Sequence, residues 1–157
     1  MKLLKKITIL LCFLSLIAFV SCSAEDKSGV KEKDNAEEGN FYPPFGDYKD
    51  KKIGYATGSG EDLSITKVSK VSENTTKIKG HAVRSDGAAK KFDFDISKWK
   101  KTIKDGKDIK SDAIVEKDYG YKDISIVYYY DSSTLEITFK SVDSVKDSLF
   151  KGKKISE

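Results

Sequence analysis

The stretch Ile124-Ser125-Ile126-Val127-Tyr128-Tyr129-Tyr130-Asp131-Ser132-Ser133-Thr134-Leu135-Glu136-Ile137-Thr138-Phe139-Lys140 decides the fold. Ile124, Ile126, Tyr128 and Tyr130 alternate with Ser125, Val127 and Tyr129, and Leu135, Ile137 and Phe139 alternate with Thr134, Glu136, Thr138 and Lys140. A period of two puts the first set of each run on one face of a strand and the second set on the other. Asp131-Ser132-Ser133 between them is a tight polar turn. The segment therefore reads as a β-hairpin with one face on a core and one in water.

Working outward, Phe92, Phe94 and Ile96 repeat the pattern against Lys91, Asp93 and Asp95. Lys52–Thr57, Leu63–Val68, Thr75–Arg84 and Ser111–Lys117 are weaker strand candidates. Gly58-Ser59-Gly60, Ser85-Asp86-Gly87, Asp105-Gly106 and Tyr119-Gly120 supply turns between them. Two short helices are expected as well. Ile96, Trp99 and Ile103 recur at helical spacing after a capping Asp95, and Val142, Val145 and Leu149 do so between Ser141 and Gly152. The fold class is mainly β: an antiparallel meander curling into a small up-and-down barrel or a strongly curved sheet, with one or two short helices.

Composition divides the chain. All eight Tyr, the one Trp and six of the eight Phe lie at or after Phe41, so residues 41–157 form one globular β-rich domain. Ser23 to Asn40 is rich in Glu, Asp, Lys, Ser and Gly and has no aromatic residue, which makes it a flexible charged tether. Before it, Lys2, Lys5 and Lys6 precede the apolar run from Ile7 to Val20. A helix of that run spans roughly 20 Å, less than a hydrocarbon core of about 30 Å, as an export signal requires.

The run Leu16-Ile17-Ala18-Phe19-Val20-Ser21-Cys22 resembles the lipobox of bacterial lipoproteins, in the relaxed form known from spirochaetes, with Phe19 and Val20 at the two positions before Ser21. The resemblance covers Met1 to Cys22. It implies removal of residues 1–21, thioether lipidation of Cys22 with N-acylation, and a membrane anchor through several acyl chains. The cell envelope is the implied location, the outer membrane or cell surface in preference to the inner membrane, because Ser23 follows the Cys. Cys12 falls in the discarded segment, so Cys22 has no disulfide partner. Processing also removes most of the charge excess. The chain carries 29 basic and 25 acidic residues, and loss of Lys2, Lys5 and Lys6 leaves 26 against 25. A nucleic-acid partner, which needs a dense basic stripe, is not expected.

Gly46-Asp47-Tyr48, followed by a Gly-rich turn and Leu63-Ser64-Ile65-Thr66, resembles the opening of small lipocalin-like bacterial lipoproteins. That likeness implies a cup-shaped barrel able to hold an apolar ligand.

Catalytic chemistry is poorly provided for. His81 is the one histidine and sits on a strand surface. Asp93 and Asp95 share a face, as paired acids do in glycosidases, but they also complete the wet side of their strand. Asp105, Asp108 and Asp112 miss the spacing of an EF-hand, and Gly58-x-Gly60 lacks the helix a phosphate loop needs. No catalytic residue, metal or cofactor is expected. The aromatics carry the binding expectation: Trp99, Tyr128 and Tyr130 as lining of a cavity and Tyr129 on the outer surface. The expected function is a lipid-anchored, non-enzymatic binding module for a small apolar ligand or an envelope or host protein. The alternative is an envelope interaction protein without a cavity.

Overall fold

A computed structural model describes residues 35–54 and 62–155, which belong to one compact unit, Glu32–Glu157. The signal, Cys22, most of the tether and the turn at Gly58-Ser59-Gly60 lie outside the described residues. The described part is all β, with ten strands paired antiparallel throughout. They are β1 (Asn35–Gly39), β2 (Gly46–Lys49), β3 (Ile65–Lys70), β4 (Thr76–Arg84), β5 (Ala89–Ile96), β6 (Lys98–Lys104), β7 (Lys107–Ile114), β8 (Tyr121–Tyr129), β9 (Thr134–Ser141) and β10 (Asp147–Lys154).

Two meanders make the sheet. Strands β2 to β5 pair in sequence, as do β6 to β10, and β10–β2 joins them, with β1 added at the free edge of β6. Strand β10 also pairs β4 through Ser148↔Arg84 and Leu149↔Val83, while its far end pairs β2 through Lys153↔Lys49. Strands β2, β3, β4 and β10 thereby close into a four-strand ring. So small a ring needs strands that approach without side chains between them. A Cβ on Gly80 would lie 2.2 Å from Thr66 Oγ1 and 3.0 Å from Thr66 Cα, and one on Gly152 would lie 3.0 Å from the Lys49 carbonyl carbon.

The hairpin of residues 124–140 forms as expected: Ile126 faces Ile137 and Tyr128 faces Leu135, with all four side chains buried. Phe92 and Phe94 on β5 meet Phe139 on β9 edge-on at 5.9 Å, so apolar faces from both meanders share one core. The turn between β6 and β7 has Asp105 and Gly106 at φ 52 and 70, the doubly left-handed geometry of a tight hairpin. Asp108 and Asp112 pair with Lys101 and Lys110. The outer edge of β5 is sealed by two phenols. Tyr119 O–H donates to the Asp95 carbonyl and accepts the Asp95 N–H at 2.9 Å, and Tyr121 O–H donates to the Lys91 carbonyl at 2.6 Å. The hydroxyls so occupy backbone groups at two points along an edge that would otherwise be open to another strand.

Both expected helices are strands or turns. Trp99 is buried while Lys98 and Lys100 are exposed, the alternation of β6, and Ile96 belongs to the end of β5. Two short strands meeting at Ser97 imitate helical spacing. Val142, Val145 and Leu149 are exposed at 60%, 91% and 42%, whereas Ser148, Phe150 and Gly152 face inward. Small inward residues on β10 hid its period of two. Lys52–Thr57 is a turn at residues 51–53, and its last three residues lie outside the described part. Ordered structure also begins inside the stretch read as tether. Strand β1 buries almost nothing and is held by its backbone ladder to β6, which composition does not reveal.

Candidate functional site

The four aromatic residues singled out from the sequence divide by strand parity. Trp99 and Tyr128 are 1% and 3% exposed and belong to the core. The Trp99 indole Nε1 finds no hydrogen-bond partner among the described residues. The Tyr128 ring stands edge-on to Tyr48 at 6.2 Å and to Tyr130 at 5.1 Å. Tyr48 O–H donates to the Pro44 carbonyl at 2.7 Å, and Tyr42 stacks on Phe45 at 5.0 Å. The Phe41–Phe45 segment therefore lies against this tyrosine cluster. Burial pushes the Tyr48 and Tyr130 phenols upward, so both stay protonated at neutral pH. Tyr129, one residue along, is half-buried on the opposite face, across from Lys110 and Thr134. Tyr128 and Tyr130 come together as expected, joined by Tyr48; Trp99 sits on β6, two strands away.

Concavity lies elsewhere, on the outer face of the ring. One open groove of ≈ 470 Å³ lies over β2, β3, β4 and β5. Its polar lining is Asp47, Asp62, Lys67, Lys79, Lys91 and His81, the last buried rather than on the strand surface, over Ile65 and Gly80. A second depression of ≈ 240 Å³ is lined by Lys49, Lys51, Lys52, Lys151 and Lys153 around Asp50. Strand register explains the clustering. Lys67 faces Lys79 and Lys49 faces Lys153, two lysine-against-lysine pairs on one face of successive strands, and His81 faces Lys91. Direct opposition of like charges destabilises a sheet by a few tenths of a kcal/mol or more.

Acids share this face: Asp47 faces Lys67 from β2 and Asp93 faces Lys79 from β5. Asp62 lies 3.9 Å from Lys49, and Glu136 holds Lys151 at 2.6 Å, which raises the lysine's pKa. Asp50 is 4% exposed and structural: its two oxygens accept the Lys52 and Lys151 backbone N–H groups at 2.8 Å. It pins the turn that presents Lys51 and Lys52. Toward β5 the charge is balanced, with Lys77 at 3.0 Å from both Asp93 and Asp95. That bridge raises the Lys77 pKa and makes the two carboxylates partners of a lysine.

The sequence reading missed Lys67, Lys79, Lys49 and Lys153. Alternation along β3 and β4 would have placed their lysines outward, but the cross-strand opposition appears only once register is known. Among the described residues no group of three or more His, Cys, Asp or Glu side chains is placed to hold a metal ion. No family model, curated protein or solved structure matches the chain.

Proposed function

We propose that the chain is an exported, lipid-anchored, non-enzymatic interaction module that engages an acidic envelope or host protein through the outer face of its four-strand ring. The observation that carries this reading is the gathering of eight lysines against three aspartates around two adjoining depressions on a chain whose processed form is nearly neutral. Charge concentrated on one face favours an oppositely charged partner and speeds its encounter. The anchor rests on Cys22 and the export signal before it. By composition, residues 23–34 are a charged spacer between that anchor and the domain.

A small apolar ligand held in a lipocalin-like cup is the second reading, favoured by the strong curvature of the sheet. Ring-to-ring packing of Tyr48, Tyr128 and Tyr130 weighs against it. Native mass spectrometry of the purified protein distinguishes the two: co-purifying lipid favours the cup, and an empty protein favours surface recognition. Fatty-acid incorporation into the wild type and its loss in Cys22→Ala test the anchor. Equal labelling of both would remove it.

A further inference from the structure

We propose that the edge of β6 is a strand-acceptor site that takes the segment Asn35–Gly39 from a second copy of this chain as well as from its own. Strand β1 exposes four of its five residues and places none in the hydrophobic core. It is therefore held by its backbone ladder and by charge. Glu37 lies opposite Lys101, with 3.9 Å between their charged atoms, and Glu38 lies opposite Lys100. Beneath that ladder is Trp99, paired on its other side with Ala113 of β7.

The two terminal edges of the sheet are treated differently. Tyr119 and Tyr121 cap the β5 edge with hydroxyls, whereas β6 is covered by five residues of polar chain. Release of β1 leaves a row of unpaired N–H and C=O groups between lysines, a template for an extended acidic segment. Opening is confined to the residues before Phe41. The Phe41 carbonyl accepts the Ser111 hydroxyl, and Lys101 Nζ sits 4.5 Å over the Phe41 ring. Gly39 and Asn40 form the hinge, restrained by one exposed hydrogen bond from Asn40 to Asn74 at 2.9 Å.

An identical segment from a neighbouring copy satisfies the same donors, acceptors and lysines, so reciprocal exchange costs no interaction and closes as a two-fold pair. Anchoring, which rests on the reading of Cys22, would favour exchange by concentrating copies on one membrane. The strand chemistry does not depend on it.

The test mixes two full-length variants, Ala36→Cys and Thr102→Cys, positions that lie opposite each other in the β1–β6 register. A short thiol-reactive linker is added to membranes and to concentrated detergent solution, with wild type as the blank for Cys12 and Cys22. Expected is an interchain product whose fragment masses join residue 36 of one copy to residue 102 of the other. Glu38→Lys on the donor should lower its yield about threefold, the scale of one exposed ion pair, and Lys100→Glu on the acceptor should restore it. The Ala36→Cys/Thr102→Cys double variant reports the same link within one chain. Intrachain product with no interchain product in either setting overturns the proposal, and so does absence of both. Interchain product in detergent alone supports the exchange while removing the role given to the anchor.

Discussion

Gly80→Ala is the substitution that probes the tight β3–β4 contact within the ring most sharply. Gly80 lies on β4, facing inward, beside Thr66 of its hydrogen-bonded neighbour β3. An added Cβ would sit 2.2 Å from Thr66 Oγ1 and 3.0 Å from both Thr66 Cα and Cβ. Rotating the Thr66 hydroxyl away cannot relieve the contact with Cα. The strands must separate by a good fraction of an ångström, yet β3 is paired to β2 on one side and β4 on the other. Overpacking of this kind costs about 1–3 kcal/mol, and the backbone contact places Gly80→Ala near the upper end. Against a total stability of about 5–15 kcal/mol, the urea midpoint should fall visibly at unchanged slope. Gly54→Ala is the matched control, because no atom lies within 4 Å of its added Cβ, and it should change stability by less than about 0.5 kcal/mol. Combining Gly80→Ala with Thr66→Ala should recover about 1 kcal/mol through removal of the hydroxyl contact. A Gly80→Ala variant as stable as the Gly54→Ala control would refute the close approach of Thr66 to Gly80.

Two further outcomes follow from named contacts. Tyr119→Phe removes both hydrogen bonds that hold the Asp95 backbone, so it should cost about 1–3 kcal/mol and speed exchange of the Asp95 amide; unchanged protection there would count against the capped edge. Asp86 is hydrogen-bonded by Arg84, Ala88 N–H and Lys146, which lower its pKa from 3.8 to about 2. Because the folded value is the depressed one, its stabilisation is present above about pH 4 and lost as pH falls through about 2. The stability advantage of wild type over Asp86→Asn should therefore be constant at neutral pH and vanish across that window. An advantage independent of pH would assign the effect to packing.

Much of the sheet could be read from side-chain alternation, and the exceptions have physical causes. The hairpin of β8 and β9 was legible because Ile126, Tyr128, Leu135, Ile137 and Phe139 fill successive inward positions. Strand β10 was not, since two of its inward positions are Ser148 and Gly152, the latter held against the Lys49 backbone where a Cβ has no room. Strand β1 was invisible because an edge strand can be held by backbone pairing with no apolar residue. The aromatic cluster was half legible. Parity separated Tyr128 and Tyr130 from Tyr129, but Tyr48 reaches them only through the β10–β2 pairing. The basic face was the least accessible feature, because Lys67 and Lys79 are remote in sequence from Lys151 and Lys153 and converge only when the ring closes.

Partner capture from detergent-solubilised envelope tests the central claim most directly, comparing tagged wild type with Lys67→Glu/Lys79→Glu and with the remote control Lys117→Glu. Both variant positions are exposed, so the fold should persist, as circular dichroism can verify. The account predicts a partner that wild type and the control retain at low salt, that raised salt releases, and that the groove variant fails to hold. The same partners, recovered in the same amounts by all three proteins, would contradict recognition through the basic face of the ring.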